Sequence, residues 1–447
     1  MNAFFLSAAL ALIAAQLTVP RKYIFVPLLI GACHLASIPI VASLTIVRLL
    51  LLVGLIRAII SGNLKWSPRH PLDCLIAAWA AWAVLSSFGH ANKFDYNPFT
   101  IHLSMAYDYL AAYLFTRANL RDTRALHRLI TNLVFVLCPL ALLLLFEKFT
   151  GQNAYAIVGA AFEQSWVRED KVRAAGPFGN AILAGTLGGT SLPLVLLLYR
   201  RNLRHALIGC LACVTIVYCS GSSGPYMSLF AGLLALYLWR WRQHLGSIKT
   251  AAILTLVGLA IVMKAPIWYL IARVDIAGGS TSWHRAEVIE QAVRHFSEWW
   301  LVGSDYTRHW MAYGIQWTDD HIDITNHYIF FGVRGGLLLL LLFVFIISTS
   351  FRLLGKQIRI FRRQKDETEF LLWCLGSSLF SHSATFFGVS YFDQSFVFLC
   401  ILLGAIPGLC SPLRSSLLTT GDNDARNATA LSNSRTRSPL PHSRPSR

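Results

Sequence analysis

Stretches of mostly apolar residues, each about as long as one bilayer crossing, follow one another from residue 3 to residue 411. A helix crossing the hydrocarbon core of a membrane needs roughly 20 such residues, and within that core each backbone amide must be satisfied inside its own segment. A chain with this pattern folds as a bundle of membrane helices. Windowed hydropathy puts them near 3–18, 23–40, 42–60, 72–89, 100–116, 126–146, 180–198, 205–219, 224–240, 249–271, 326–349, 369–388 and 392–411. Pro27 and Pro39 interrupt the early spans, so the expectation is an all-α, polytopic transmembrane helix bundle of about 12 to 13 helices. Hydrophobic residues make up 55% of the chain and charged residues 14%, a balance that excludes an ordinary water-soluble domain. The apolar run at the amino terminus has no positive residue before it and no small-residue cleavage motif, and is expected to remain as the first helix.

Basic residues collect in every second loop: Arg21 and Lys22; Arg57, Lys65 and Arg69; Arg117, Arg121, Arg124 and Arg128; Arg200, Arg201 and Arg204; Arg240, Arg242 and Lys249; and Arg352 through Lys365. That alternation puts those loops in the cytoplasm. The net charge of +17 is then a topology signal and an attraction to anionic lipid, and no basic stripe interleaved with aromatics points to nucleic acid. Residues 1–411 read as one membrane domain with two long periplasmic loops, 147–179 and 272–325, the second holding interfacial helices; 412–447 read as a disordered basic cytoplasmic tail. The nine cysteines lie in or beside apolar segments and suggest no disulfide framework, and Cys210-x-x-Cys213 lacks the second pair or nearby histidines of a zinc or redox site.

Chemistry is expected in the two long loops. Gly278, Gly279, Ser280, Thr281 and Ser282 precede a segment in which Ala286, Ile289, Val293, Phe296 and Trp300 recur at helical spacing, which predicts an amphipathic interfacial helix over 283–298 with Arg285 in its first turn. Arg173 closes the shorter loop just before an apolar helix. Two guanidiniums from separate outer loops can clamp a diphosphate, or can reach to lipid headgroups. The run Asp319-Asp320-His321-Ile322-Asp323-Ile324-Thr325-Asn326-His327 offers a general base near neutrality. The same histidines also fit capping or interfacial roles, and Asp319, Asp320, Asp323, His321 and His327 match no metal-ligand spacing. The loop tryptophans Trp283, Trp299, Trp300, Trp310 and Trp317 fit an interfacial belt or a sugar-stacking surface. No nucleotide-binding loop, dinucleotide fingerprint or nucleophile elbow is present.

Four short motifs occur in a telling order: Arg173-x-x-Gly176-x-Phe178-x-Asn180, Ser220-Gly221-Ser222-Ser223-Gly224, Ser282-x-x-Arg285, and Thr325-Asn326-His327-Tyr328 leading into Gly332-Val333-Arg334-Gly335-Gly336. Their order, spacing and topology resemble the O-antigen ligase and Wzy-type polysaccharide polymerase superfamily over about residues 20 to 410. The resemblance implies a multi-pass enzyme of the bacterial inner membrane, acting in lipopolysaccharide or exopolysaccharide assembly without metal or other cofactor. Such an enzyme moves a glycan from an undecaprenyl-diphosphate carrier to a sugar hydroxyl on an acceptor glycan or the lipid A core. By motif, Arg173 and Arg285 would hold the diphosphate and His327 would be the base ahead of His321. Asn180, Asn326, Arg334, Arg308 and His321 are the implied substrate contacts. Many members read His-Asn where this chain reads Thr325-Asn326-His327, and many carry an arginine in the turn that here reads Ser220-Gly221-Ser222-Ser223-Gly224-Pro225, which makes Arg308 the substitute cation. A secondary transporter or flippase, and a non-catalytic scaffold, are the competing expectations.

Overall fold

A computed structural model describes residues 3–41, 43–64, 70–91, 97–158, 164–168, 170–273, 282–311, 313–364 and 367–410. The tail 412–447 and Gly278, Gly279, Ser280 and Thr281 lie outside the described residues. The α-helices are α1 (Ala3–Thr18), α2 (Val26–His34), α3 (Ile46–Ile60), α4 (Pro71–Ser86), α5 (Pro98–Asn119), α6 (Thr123–Thr150), α7 (Ala181–Leu196), α8 (Leu203–Ser220), α9 (Ser223–Tyr237), α10 (Leu245–Val262), α11 (Ser282–Arg294), α12 (Phe296–Trp299), α13 (His327–Gln364), α14 (Thr368–Thr385) and α15 (Phe396–Leu409). Five helical runs, Pro71–Gly89, Thr123–Thr150, Leu203–Ser220, Ser223–Val262 and His327–Gln364, are long and apolar enough to cross a membrane. Their outward faces carry apolar side chains such as Phe135, Leu142, Leu207 and Leu211, all more than half exposed. Apolar surface on that scale suits lipid rather than water, and the molecule has the make-up of an all-α membrane bundle.

Local signals set the helix ends. Asn97, Asp122, Asn180 and Asn202 each accept an amide of the first turn of α5, α6, α7 and α8 through a side-chain oxygen. Gly151 and Gly221 close α6 and α8 in the left-handed conformation, at φ 75° and 53°. The central helix α7 packs on α8, α9 and α14. Its small residues permit this: a Cβ on Gly185 would meet the Ser220 side chain at 2.5 Å, and one on Gly188 would meet the Cys213 carbonyl at 2.6 Å.

The early part departs from expectation. The predicted 23–40 span contains only the nine-residue α2, and a two-stranded hairpin of β1 (Pro39–Val41) and β2 (Leu44–Thr45) follows it. Proline at 39 cannot donate to a helix and starts the strand instead. The helix α10 buries none of its residues.

The basic loops meet at one end of the bundle. Arg242 and Arg362 both pair with Glu369, at 3.0 and 2.8 Å, and Arg200 lies over the Phe370 ring. Arg21, Lys22, Arg121 and Arg128 share one cleft there. The opposite end carries the long loops. The described residues of the second loop pack a second apolar core of Val288, Ala292, Trp299, Trp310 and Ile322 against Val333 of α13. The loop is also threaded into a break in α13, where Gly335 and Gly336 leave helical geometry and Gly336 takes φ 76°. At the break the Leu337 amide donates to the Trp300 carbonyl at 2.8 Å and the Ser304 amide donates to Val333 at 2.8 Å.

Candidate functional site

The segment carrying Arg173 is a hairpin, β3 (Trp166–Arg168) and β4 (Lys171–Arg173), in which Arg173 pairs with Trp166. Asp170 occupies its turn at φ 58°, a conformation that an aspartate tolerates. Beyond the strand, the buried Glu147 at the end of α6 accepts the amides of Ala175 (3.0 Å) and Gly176 (2.8 Å) and the Ser165 hydroxyl (3.0 Å). The Ala174 amide donates to the Cys219 carbonyl at 3.1 Å. These bonds aim Arg173 at the turn between α8 and α9. Its Nη2 and Nε donate to the Ser222 hydroxyl at 2.6 and 3.1 Å. Lys148 approaches the same turn: a Cβ on Gly221 would lie 3.4 Å from both its Nζ and the Arg173 Cγ. Burial and the neighbouring Arg168 charge both push the Arg173 guanidinium below its ordinary pKa. A cation in that condition gains from any anion brought beside it.

Arg285 reaches the same turn from α11. It is 5% exposed, and a Cβ on Gly224 would lie 3.7 Å from its Nη2, while one on Gly388 would lie 3.2 Å from its Cδ. The 283–298 helix is thus found, broken at His295, but with a different buried face. Ala286 of the expected stripe is buried, but His284, Arg285, Val288 and Ala292 share the inward side with it, while Val293, Phe296 and Trp300 are 41–57% exposed. The inward polar pair is held because His284 Nε2 donates to the Asp323 carbonyl at 2.8 Å. Burial raises the Asp323 carboxyl, with His284 and Arg285 pulling against it.

A cavity of about 400 Å3 opens among the same loops, and neither Arg173 nor Arg285 is part of its lining. Polar lining comes from the Arg48–Asp108 ion pair, Arg334, His321, Asp323 and Asp393, and aromatic lining from Tyr109, Trp317, Tyr391 and Phe392. The segment 388–393 runs from the Arg285 contact at Gly388 to the cavity wall at Asp393. Asp393 is half-buried, and its Oδ2 is shut off from solvent without a hydrogen-bond partner among the described residues. Burial pushes its carboxyl up to about 6, against the Ser395 bonds to Oδ1 that lower it.

The remaining sequence candidates fall into place unevenly. His321 and Arg334 line the cavity; His321 Nδ1 meets the Thr307 hydroxyl at 3.2 Å. His327 lines no part of it. The residue is fully buried among Tyr109, Phe331, Phe386 and Tyr391. Its Nδ1 accepts the Tyr391 amide at 3.3 Å and its Nε2 faces the Tyr109 hydroxyl at 2.9 Å. Both ring nitrogens are engaged, and His327 sits behind the cavity wall. Asn180 caps α7 through the Ile182 amide. Asn326 is buried and accepts the Tyr328 and Ile329 amides at the start of α13. Arg308 points at the Met311 and Gly314 carbonyls of its own loop. Of the loop tryptophans, Trp299 and Trp310 are core, whereas Trp283, Trp300 and Trp317 are about half exposed. The sequence reading missed the cavity roles of Asp393, which looks like an ordinary helix-end charge, and of Arg48 and Asp108, whose pairing joins two helices 60 residues apart.

Gly388→Val tests the seat of Arg285. The added side chain must displace the guanidinium, and overpacking of this kind costs about 1–3 kcal/mol. Thermal denaturation in detergent should show that loss, and Gly246→Val, whose Cβ meets nothing within 4 Å, should not. No known family model and no curated protein sequence matches the chain.

Proposed function

We propose that the protein is a membrane glycan transferase that moves a glycan from an undecaprenyl-diphosphate carrier onto an acceptor sugar hydroxyl, at the outer face of the bacterial inner membrane. The observation that carries this reading is the convergence of Arg173 and Arg285, from loops more than a hundred residues apart, on the Ser220–Gly224 turn, with the 388–393 segment leading from Arg285 to the wall of a polar, aromatic-lined cavity. In the reaction the acceptor oxygen attacks the anomeric carbon, the bond from that carbon to the phosphate oxygen breaks, and the diphosphate leaves with the electron pair. Fixed cations that meet this charge lower the barrier, and two arginine forks suit phosphate oxygens. The hydroxyl proton passes to Asp393, whose carboxyl near 6 is ionised at neutral pH yet basic enough to accept it. His321 donates a hydrogen bond to the acceptor, and Trp317 and Phe392, with ring centroids 4.8 Å apart, offer a sugar face a stacking surface.

The test is product formation by the purified protein in nanodiscs from a lipid-linked donor and an acceptor glycan, read by mass spectrometry. Transfer that Arg173→Ala and Arg285→Ala abolish supports the reading; transfer at full rate in both variants sinks it. The pH profile checks the base. With Asp393 accepting the proton, the rate rises about tenfold per pH unit below 6 and levels above it, and Asp393→Asn loses about a hundredfold and that limb with it.

One observation favours a second reading. The break in α13 at Gly335–Gly336 is the kind of discontinuous helix that transporters place at a substrate path. Movement of a lipid-linked sugar across vesicles, with no transfer product, would select it.

A further inference from the structure

Away from the cavity, three potential metal ligands come together. His295, Glu298 and His309 offer one ligand atom each, all within 4.8 Å of one another, and no other such group forms among the described residues. The acidic run Asp319, Asp320 and Asp323 with His321 and His327 does not converge in this way.

His295 joins α11 to α12 and Glu298 stands in the first turn of α12. His309 comes from the short turn Arg308–Trp310. Each is already oriented by a neighbour. His295 Nδ1 donates to the Gln291 carbonyl at 3.0 Å, which fixes the tautomer and leaves the Nε2 lone pair outward. Glu298 Oε2 accepts the Trp310 indole N–H at 2.9 Å, and His309 Nε2 lies 3.0 Å from the same carboxylate. The imidazoles are braced by stacking: His295 on Trp310 at 5.4 Å and 13°, His309 on Tyr306 at 5.3 Å and 5°. Hydrogen bonds to the outer atoms of ligands are the usual supporting shell of a metal site.

Two imidazoles and one carboxylate form a donor set suited to Zn2+, whose bonds of about 2.0–2.2 Å put tetrahedral ligands roughly 3.4 Å apart. Closing from the observed separations needs only rotation of side chains, and the exposed positions of Glu298 and His309 leave a fourth site to water. We propose that His295, Glu298 and His309 form a divalent transition-metal site, with Zn2+ as its ion, that ties the α11–α12 junction to the Arg308–Trp310 turn.

The tie has a structural target. Thr307 beside that turn takes the Asp320 carbonyl through its amide at 2.9 Å, and its hydroxyl contacts both the His321 ring and the Ile322 amide. Fixing the turn therefore fixes the strand of loop that carries His321. None of this depends on the glycan-transfer reading.

The test is a Zn2+ titration of the full chain in detergent against a chromogenic chelator, with hydrogen exchange followed in parallel. The expected result is one equivalent bound, affinity lowered about a hundredfold or more in His309→Gln and in Glu298→Gln, no change in His244→Gln, and zinc-dependent protection of the amides from 307 to 322 in the unaltered chain alone. His309 is 42% exposed, so its replacement leaves folding intact, and matching gel-filtration profiles verify this. Absence of binding, equal binding by the two variants, or binding without protection of that segment overturns the proposal.

Discussion

Arg285→Ala is expected to lower glycan transfer by about a thousandfold or more, because an arginine meeting charge on a departing phosphate contributes on that scale. The measurement is the initial rate of product formation by purified protein, and an unchanged rate would remove Arg285 from the reaction. Arg285→Lys should recover only part of the loss, since one ammonium cannot engage two oxygens side by side. A structural explanation has to be separated from this one. Arg285 also steadies the partly buried Asp323, whose carboxyl burial already raises. If stranding that carboxylate were the whole effect, Arg285→Ala with Asp323→Asn would restore the rate. The charge-meeting role predicts that the double variant stays inactive while its melting temperature recovers.

Arg48→Ala is expected to cost about 3–5 kcal/mol of stability, the usual result of removing one partner from a buried ion pair. Arg48 Nε and Nη2 each donate to one Asp108 oxygen at 2.7 Å, the guanidinium also reaches the Ser43 carbonyl, and Asp108 is 8% exposed. The Tyr107 hydroxyl donates to the Arg48 carbonyl at 2.9 Å, so the disturbance spreads along α3 and α5. Equilibrium unfolding in mixed micelles measures it. Replacing both partners, as Arg48→Met with Asp108→Leu, should return most of the loss, because no charge is then left unpaired. A single-variant cost under about 1 kcal/mol would mean that water reaches the pair and screens it.

The helices were legible where apolar runs carry their own end signals. The expected 126–146 and 205–219 spans lie inside α6 and α8, whose limits follow from Asp122 and Gly151, and from Asn202 and Gly221. Arg173 and Arg285 were legible as a pair of outer cations, and their meeting at one turn follows from how α7, α8 and α9 pack. The β3–β4 hairpin was not legible, because only Lys171-Val172-Arg173 alternates polar and apolar residues, too short a run to read as a strand, and the residues flanking the hairpin are held by Glu147 and Cys219 from elsewhere. Hydrophobic periodicity also misread α11. It registers apolar side chains alone, and here a histidine and an arginine take the buried face because Asp323 and Gly388 receive them. His327 reads as a polar residue at a helix start, yet Tyr109 and Tyr391, distant in sequence, enclose it.

The break in α13 shapes one wall of the cavity. Phe330, Val333 and Arg334 on the first turns of α13, and Ser304 on the threaded loop, all face the cavity. Backbone bonds join those turns to the 300–304 strand of chain, and a Cβ on either Gly303 or Gly336 would run into the carbonyl of the other segment. The loop bridges the break from both sides, Ser304 bonded to Val333 before it and Leu337 to Trp300 after it, so this wall of the cavity is braced as one piece. A side chain at Gly303 or Gly336 would wedge the loop out of the break, and the cavity would lose that wall.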